Sequence, residues 1–336
     1  MVAWLSSGLL LGWSLGANDV ANVFGTAVAS RMVRFATAAK FCAVFVILGG
    51  LVNGPAAMET VGALGQIETL PGAFATALAP AVIIAAMVRL GIPVSTSQAM
   101  VGALIGYRLM MVGSLDAATW RLLWTIILTW AACPVLAAIV AFCSYKLTAL
   151  IFRSLPMPLF ALDRWLRFGL IAAGCYGAWA LGGNNLANVV GVYARLDLFA
   201  PVQFGPWALS QSRMLAILGG LAIALGAATY SYRVMLTVGR DLMRLDAFSA
   251  FIAVFAEALA VDFFAHSWKI GTFVLPAIPV SITQALIGAV LGIGFARGLH
   301  TMKMPVLGLI ALGWVLTPLL AALLTAGILP LVLRLV

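Results

Sequence analysis

Apolar runs long enough to cross a bilayer recur from one end of this chain to the other, and they leave few folds open to it. We read ten, at about 2–30 (interrupted), 36–54, 72–88, 94–112, 120–150, 165–194 (interrupted), 213–232, 247–265, 280–296 and 304–333. A spanning helix needs about 20 such residues, and in lipid only helices or closed barrels satisfy every backbone N–H and C=O. Barrel strands alternate apolar and polar residues over short segments, whereas these runs are continuous and rich in Leu, Ala, Gly and Ile. With 64% hydrophobic and 9% charged residues, against roughly 25% charged in soluble domains, the sequence predicts an all-α polytopic membrane protein. The runs at 120–150 and 304–333 are long for one tilted span, so each is a bent helix or a pair of shorter ones, and the count is ten or twelve.

The net charge of +9 does not point to nucleic acid. The 19 Lys and Arg are scattered between apolar runs rather than gathered in a patch, as in the cytoplasmic loops of membrane proteins. Cys42, Cys133, Cys143 and Cys175 fall inside apolar runs without zinc or disulfide spacing, and read as packing residues. Residues 1–15 lack a positive n-region and a cleavage site, so they read as a first helix rather than a signal peptide. The longest connections, 153–164 and 195–212, carry Pro156 and Pro158, and Pro201 and Pro206; no soluble domain is expected.

The chain also repeats itself. Gly16-Ala-Asn-Asp-Val-Ala-Asn-Val-Phe-Gly25 returns as Gly182-Gly-Asn-Asn-Leu-Ala-Asn-Val-Val-Gly191. Ile92-Pro-Val-Ser-Thr-Ser-Gln-Ala-Met-Val-Gly-Ala103 returns as Ile278-Pro-Val-Ser-Ile-Thr-Gln-Ala-Leu-Ile-Gly-Ala289. Weaker anchors in the same order are Thr60-Val-Gly62 with Thr237-Val-Gly239, and Trp130 and Pro134 with Trp314 and Pro318. The expected units are a first repeat at 1–150, a cytoplasmic connection at 151–164 and a second repeat at 165–336. Five spans per repeat is an odd number, so the second repeat enters the membrane inverted. With both termini outside, most Lys and Arg fall on the cytoplasmic side, and the connection holding Glu59 and Glu68 falls outside. The expected fold is therefore two inverted-topology repeats whose broken helices or re-entrant half-helices meet at a midplane site, in the cell (inner or plasma) membrane among its lipids.

Both motif pairs carry chemistry. Asn18, Asp19, Asn22, Asn184, Asn185 and Asn188 are polar groups in apolar helices, costly unless paired or facing a cavity. Flanking Gly16, Gly25, Gly182 and Gly191 permit helix breaks, which free carbonyls; with the Asn and Asp oxygens these suit a hard cation such as Na+. Asp19 is the single acid in either motif. The alternative is that these Asn side chains only join helices. In the second pair, Pro93 and Pro279 interrupt the run, and Ser95, Thr96 and Ser97, with Ser281 and Thr283, stand at a helix start. Helix N-termini and hydroxyls form an oxyanion site without a buried Lys or Arg, and Gln98 and Gln284 can add contacts; ordinary capping is the alternative. Gly102-x-x-x-Gly106 and Gly288-x-x-x-Gly292 read as packing motifs. Glu257 is a deeper buried acid and a candidate for coupling, while Asp262 lies near a helix end beside His266 and Lys269.

At these residues the sequence resembles the inorganic phosphate transporter family, whose duplicated motifs read Gly-Ala-Asn-Asp-Val-Ala-Asn and Pro-Val-Ser-Thr-Thr-His. The resemblance covers the whole chain. It implies a secondary active symporter of inorganic phosphate coupled to Na+ or H+, with Na+ the expected coupling ion, no cofactor and a homodimeric assembly. By matching position, Asp19 and Asn185 help bind the cation, while Ser95, Thr96, Ser97, Ser281 and Thr283 cradle the anion. Asn185 stands where the family often has Asp, Ile282 where Thr is common, and Gln98 and Gln284 where His is common. Fewer acidic acceptors bear on substrate, because hydrogen phosphate has a proton to donate and sulfate has none. Some relatives are sulfate permeases, so sulfate is the alternative anion. A passive anion channel is a further alternative. Intramembrane proteases and prenyl transferases need paired Asp or His-Glu-x-x-His patterns; with only His266 and His300 present, no enzyme is expected.

Overall fold

The computed structural model describes residues 2–90, 94–154, 158–204, 207–241, 245–298 and 304–335; Ile92, Pro93, Pro156, Pro206 and His300 lie outside the described residues. The helices are α1 (Val2–Ala29), α2 (Phe35–Gly65), α3 (Leu70–Leu90), α4 (Thr96–Val112), α5 (Ala117–Ser154), α6 (Leu159–Val190), α7 (Gln211–Thr229), α8 (Ser231–Asp241), α9 (Ala247–Ala265), α10 (Ile282–Arg297) and α11 (Met304–Leu333). Six of them, α2, α3, α5, α7, α9 and most of α11, are long and apolar enough to cross a membrane. Helices α4 and α10, of 17 and 16 residues, reach only about 25 Å, short of a hydrocarbon core of about 30 Å. They are buried on nearly every side, so they form the centre around which the longer helices pack.

Equivalent helices of the two halves make equivalent contacts with the halves exchanged. Helix α2 packs on α6, while its counterparts α7 and α8 pack on α1; α4 packs on α11, while α10 packs on α5. The match extends to single glycines. A Cβ on Gly16 would fall 2.0 Å from the Ile223 carbonyl oxygen, and one on Gly182 would fall 2.0 Å from that of Val46. From the facing helices, Gly226 meets the Trp13 carbonyl and Gly49 the Trp179 carbonyl, again at 2.0 Å. Gly102 and Gly288 do the same against Pro318 and Pro134, each at 2.1 Å. Close backbone approach of this kind is how helices associate where lipid removes the hydrophobic drive between them.

Several expectations change. Helices α1 and α6 run unbroken through their Asn-rich motifs, so Gly16 and Gly182 serve close packing rather than a helix break. Of the two alternatives for the long runs, the structure has the single helix in each: 120–150 lies in one helix through Pro134, and 304–333 is one helix through Pro318 and Pro330. Helix α2 continues past Pro55 to Gly65 and places Glu59 on the helix rather than in a connection. The run at 213–232 divides at Tyr230 into α7 and α8. Two short hairpins interrupt the all-helical plan: β1 (Val202–Phe204) with β2 (Trp207–Leu209), and β3 (Trp268–Ile270) with β4 (Phe273–Leu275), the second turning where Gly271 has φ 63°. Cys42 and Cys133 are buried packing residues, whereas Cys143 is exposed and Cys175 half-buried; all four are free thiols.

Candidate functional site

The second motif pair forms helix starts. Val94 and Val280 precede the N-caps Ser95 and Ser281, whose hydroxyl oxygens each accept the amide N–H of Gln98 or Gln284 at 3.3 Å. These two starts interlock. Ser97 at the head of α4 donates its hydroxyl to the Val280 carbonyl at 2.8 Å, and Thr283 at the head of α10 donates to the Val94 carbonyl at 3.5 Å. Carbonyls of the extended segments thus supply what the unbroken α1 and α6 do not.

Into this junction α1 and α6 project their polar turns. Asn18 donates to Asp19 Oδ1 at 2.7 Å and to the Val94 carbonyl at 3.1 Å. Its counterpart Asn184 donates to Asn185 Oδ1 at 2.6 Å and to the Val280 carbonyl at 2.8 Å, while accepting the Val280 amide at 2.7 Å. One turn on, Asn22 donates to Thr283 Oγ1 at 3.1 Å and Asn188 to Ser97 Oγ at 2.9 Å. The spacing explains this geometry: residues three and four apart share one helix face, so Asn18 and Asn22, like Asn184 and Asn188, point the same way. Every one of these side chains is buried, with at most 4% exposure even at Gln98 and Gln284.

The largest difference between the halves lies at Asp19 and Asn185. Asp19 Oδ2 accepts from Asn185 Nδ2 at 2.7 Å and from Thr96 Oγ1 at 3.2 Å, whereas Asn185 Oδ1 accepts only from other amides, Asn184 and Asn188. Donors to a carboxylate are stronger than neutral pairs, which offsets part of the cost of holding that acid inside. The Asn188 orientation follows from its neighbours. Ser97 spends its hydroxyl hydrogen on Val280, so it accepts from Asn188 Nδ2 and leaves Asn188 Oδ1 without a donor. Gln98 Oε1 and Gln284 Oε1 are likewise buried acceptors without a donor. Buried acceptors need a partner, and a hard cation or a protonated oxyanion supplies one. Among the described residues, no three His, Cys, Asp or Glu side chains cluster, and the side chains hydrogen-bonded to Asp19 are neutral: Asn18, Thr96 and Asn185.

The structure therefore brings Asn18, Asp19, Asn22, Asn184, Asn185, Asn188, Ser95, Thr96, Ser97, Gln98, Ser281, Thr283 and Gln284 to one junction. Glu257 is buried on α9 and hydrogen-bonds to none of these residues, and its Oε2 has no donor, but it lies near enough to Asp19 for the two carboxyls to feel each other's charge. Asp262 joins three helices through bonds from Asn53 Nδ2 at 3.3 Å and the Tyr176 hydroxyl at 3.1 Å, with His266 beside it, 3.8 Å from its carboxylate. Sequence reasoning missed Asn53 and Tyr176, single residues outside any repeat. It also missed buried Arg108, which donates to Gln66, to Thr119 at 3.2 Å and to Asp116 at 3.5 Å. A lone arginine inside an apolar run was the available signal.

Helical repeats that exchange partners around an interior polar junction define a membrane protein of transporter architecture. The family comparison narrows this: the model of the phosphate transporter family matches residues 15–325, and the chain belongs to that family. Similar proteins include a candidate phosphate permease of Thermococcus kodakarensis, 25% identical with 97% of each chain covered. The chloroplastic inorganic phosphate transporter 2-1 of Arabidopsis thaliana is 25% identical, covering 94% of this chain and 69% of its own. Among solved structures, a sodium-dependent phosphate transporter shares the fold, with TM-score 0.77 and 24% identity over 100% of this chain and 99% of that one.

Proposed function

We propose that this chain is a Na+-coupled symporter of inorganic phosphate working by alternating access, with the reciprocal junction between α1, α4, α6 and α10 as its binding site. The observation that carries the proposal is the buried acid Asp19 at the point where two helix starts interlock, while Asn188, Gln98 and Gln284 on the elements of that junction keep buried oxygens without donors. The solved relative is named for sodium dependence, and the curated relatives for phosphate. Asp19 and the oxygens of Asn185 and Asn188 hold the cation. The first turns of α4 and α10, with Ser95, Thr96, Ser97, Ser281 and Thr283, hold the anion by hydroxyls and helix dipoles. Glu257, a second buried acid, tunes the cation or proton step rather than holding a cation of its own.

Binding the cation beside Asp19 cancels the acid's repulsion of the anion, so each ion favours the other. Both halves reach the site, and a rocking of one against the other re-exposes it. In this reading the repeats are 1–150 and 165–336, inverted, with 151–164 on the cytoplasmic side, both termini outside and a homodimer in the cell membrane. Phosphate is favoured over sulfate because the junction presents acceptors, Asp19, Gln98 Oε1 and Gln284 Oε1, that can take the proton hydrogen phosphate carries. Uptake of labelled phosphate and sulfate by purified protein in liposomes, under an inward Na+ gradient or an inward H+ gradient, tests substrate and ion together. Phosphate accumulation driven by Na+ supports the reading; uptake that runs only downhill would make the protein a channel.

A further inference from the structure

The junction's side-chain hydrogen bonds largely pair off between the halves, and the exception around one carboxylate bears on how many cations it can hold. Each repeat offers a position built from an acid or amide (Asp19 or Asn185), a residue at the helix start (Thr96 or Ile282) and a preceding Asn (Asn18 or Asn184). In the first repeat the position is an acid that accepts a hydroxyl. In the second, the acid is an amide and the hydroxyl an alkyl group, so charge and hydroxyl are lost together. The Asn185 Nδ2 then donates to Asp19 Oδ2 at 2.7 Å, across the two halves. An acid at 185 would face Asp19 at hydrogen-bond distance, and two carboxylates that close cannot both be ionised without a cation or proton between them. Asn185 removes that need by supplying an N–H.

We infer that the site carries one coupling cation per anion and not a symmetry-related pair, because Asn185 and Ile282 abolish the second of two equivalent positions and an amide hydrogen stands where the second charge would be balanced. The inference rests on the reading of Asp19 as the cation ligand. Its consequence is thermodynamic. At equal pH and with the membrane potential held at zero, the steady accumulation of phosphate equals the Na+ gradient raised to the number of Na+ carried.

The experiment uses the full chain in liposomes with a tenfold inward Na+ gradient and labelled phosphate. The wild type is expected to accumulate about tenfold, with a Na+ dependence of Hill slope about 1, whereas two coupled cations would give about a hundredfold. A hundredfold ratio in the wild type overturns the inference. The double variant Asn185→Asp with Ile282→Thr rebuilds the second position and is expected to raise the ratio towards a hundredfold; an unchanged ratio in folded double variant also overturns it. If that variant does not fold, the wild-type ratio still decides. Asp19→Asn separates the two claims: retained Na+ dependence there sinks the cation site itself, while lost dependence together with a hundredfold wild-type ratio sinks the single-cation inference alone.

Discussion

The two duplicated motifs face one problem, polar groups inside an apolar bundle, and solve it differently. In α1 and α6 the helix stays intact and side chains do the work, with Asn18 and Asn184 reaching out to the Val94 and Val280 carbonyls. Ahead of α4 and α10 the backbone itself opens, and Ser95 and Ser281 cap the new helices. Each depends on the other: the intact helices bring side-chain amides to carbonyls that only the opened segments can offer. Glycine therefore means something different in each place. Around the Asn-rich motifs it permits close packing, and at the helix starts the breaking is left to Pro279 and the hydroxyl caps.

Experiments that break this complementarity rank by expected effect. Asp19→Asn removes the one charge of the junction and should cost about 3 kcal/mol, or roughly a hundredfold in Na+ affinity, with folded protein still reaching the membrane. Unchanged Na+ dependence in transport assays would contradict that role. Gly16→Ala and Gly182→Ala come next. Were these glycines there to break the helix, Ala would strengthen it by about 1 kcal/mol. Because a Cβ there meets a backbone carbonyl at 2.0 Å, each should instead destabilise by about 1–3 kcal/mol, read as a lower melting temperature in detergent.

Ser95→Ala combined with Ser281→Ala removes both caps, at about 1 kcal/mol each, and should weaken phosphate binding more than Na+ binding. Equal phosphate affinity would remove the helix starts from the site. The smallest effect lies outside the spans, at Asp116, the residue before α5. Hydrogen bonds from the Thr119 side chain and amide, with Arg108 nearby, hold its carboxyl below the ordinary value. A lowered folded pKa gives stability that is present above the unfolded value and lost as pH falls through the folded one. Acidification below about pH 4 should therefore loosen the α4–α5 turn in wild type, and Asp116→Asn should flatten that dependence in a melting series.

The duplicated motifs made much of the site legible in the sequence, because a repeat of polar residues in apolar helices has few structural readings. That Asn22 meets Thr283, and Asn188 meets Ser97, could not be read, since sequence order does not say which copy faces which. The expected helix breaks at Gly16 and Gly182 failed for a related reason. A glycine that permits a break and one that admits a neighbouring helix look alike until the neighbour is known. The Asp262, Asn53 and Tyr176 cluster assembles three helices from residues far apart in sequence, and no local pattern announces it. The hairpins at 202–209 and 268–275 are too short to show alternation.

The most direct test of the central claim is uptake of labelled phosphate and labelled sulfate by purified protein in liposomes, with an inward Na+ gradient and, separately, an inward H+ gradient. The account predicts phosphate accumulation that follows the Na+ gradient and collapses with it. Sulfate accumulation without phosphate uptake would contradict the substrate assignment, and phosphate accumulation driven by H+ alone would contradict the cation.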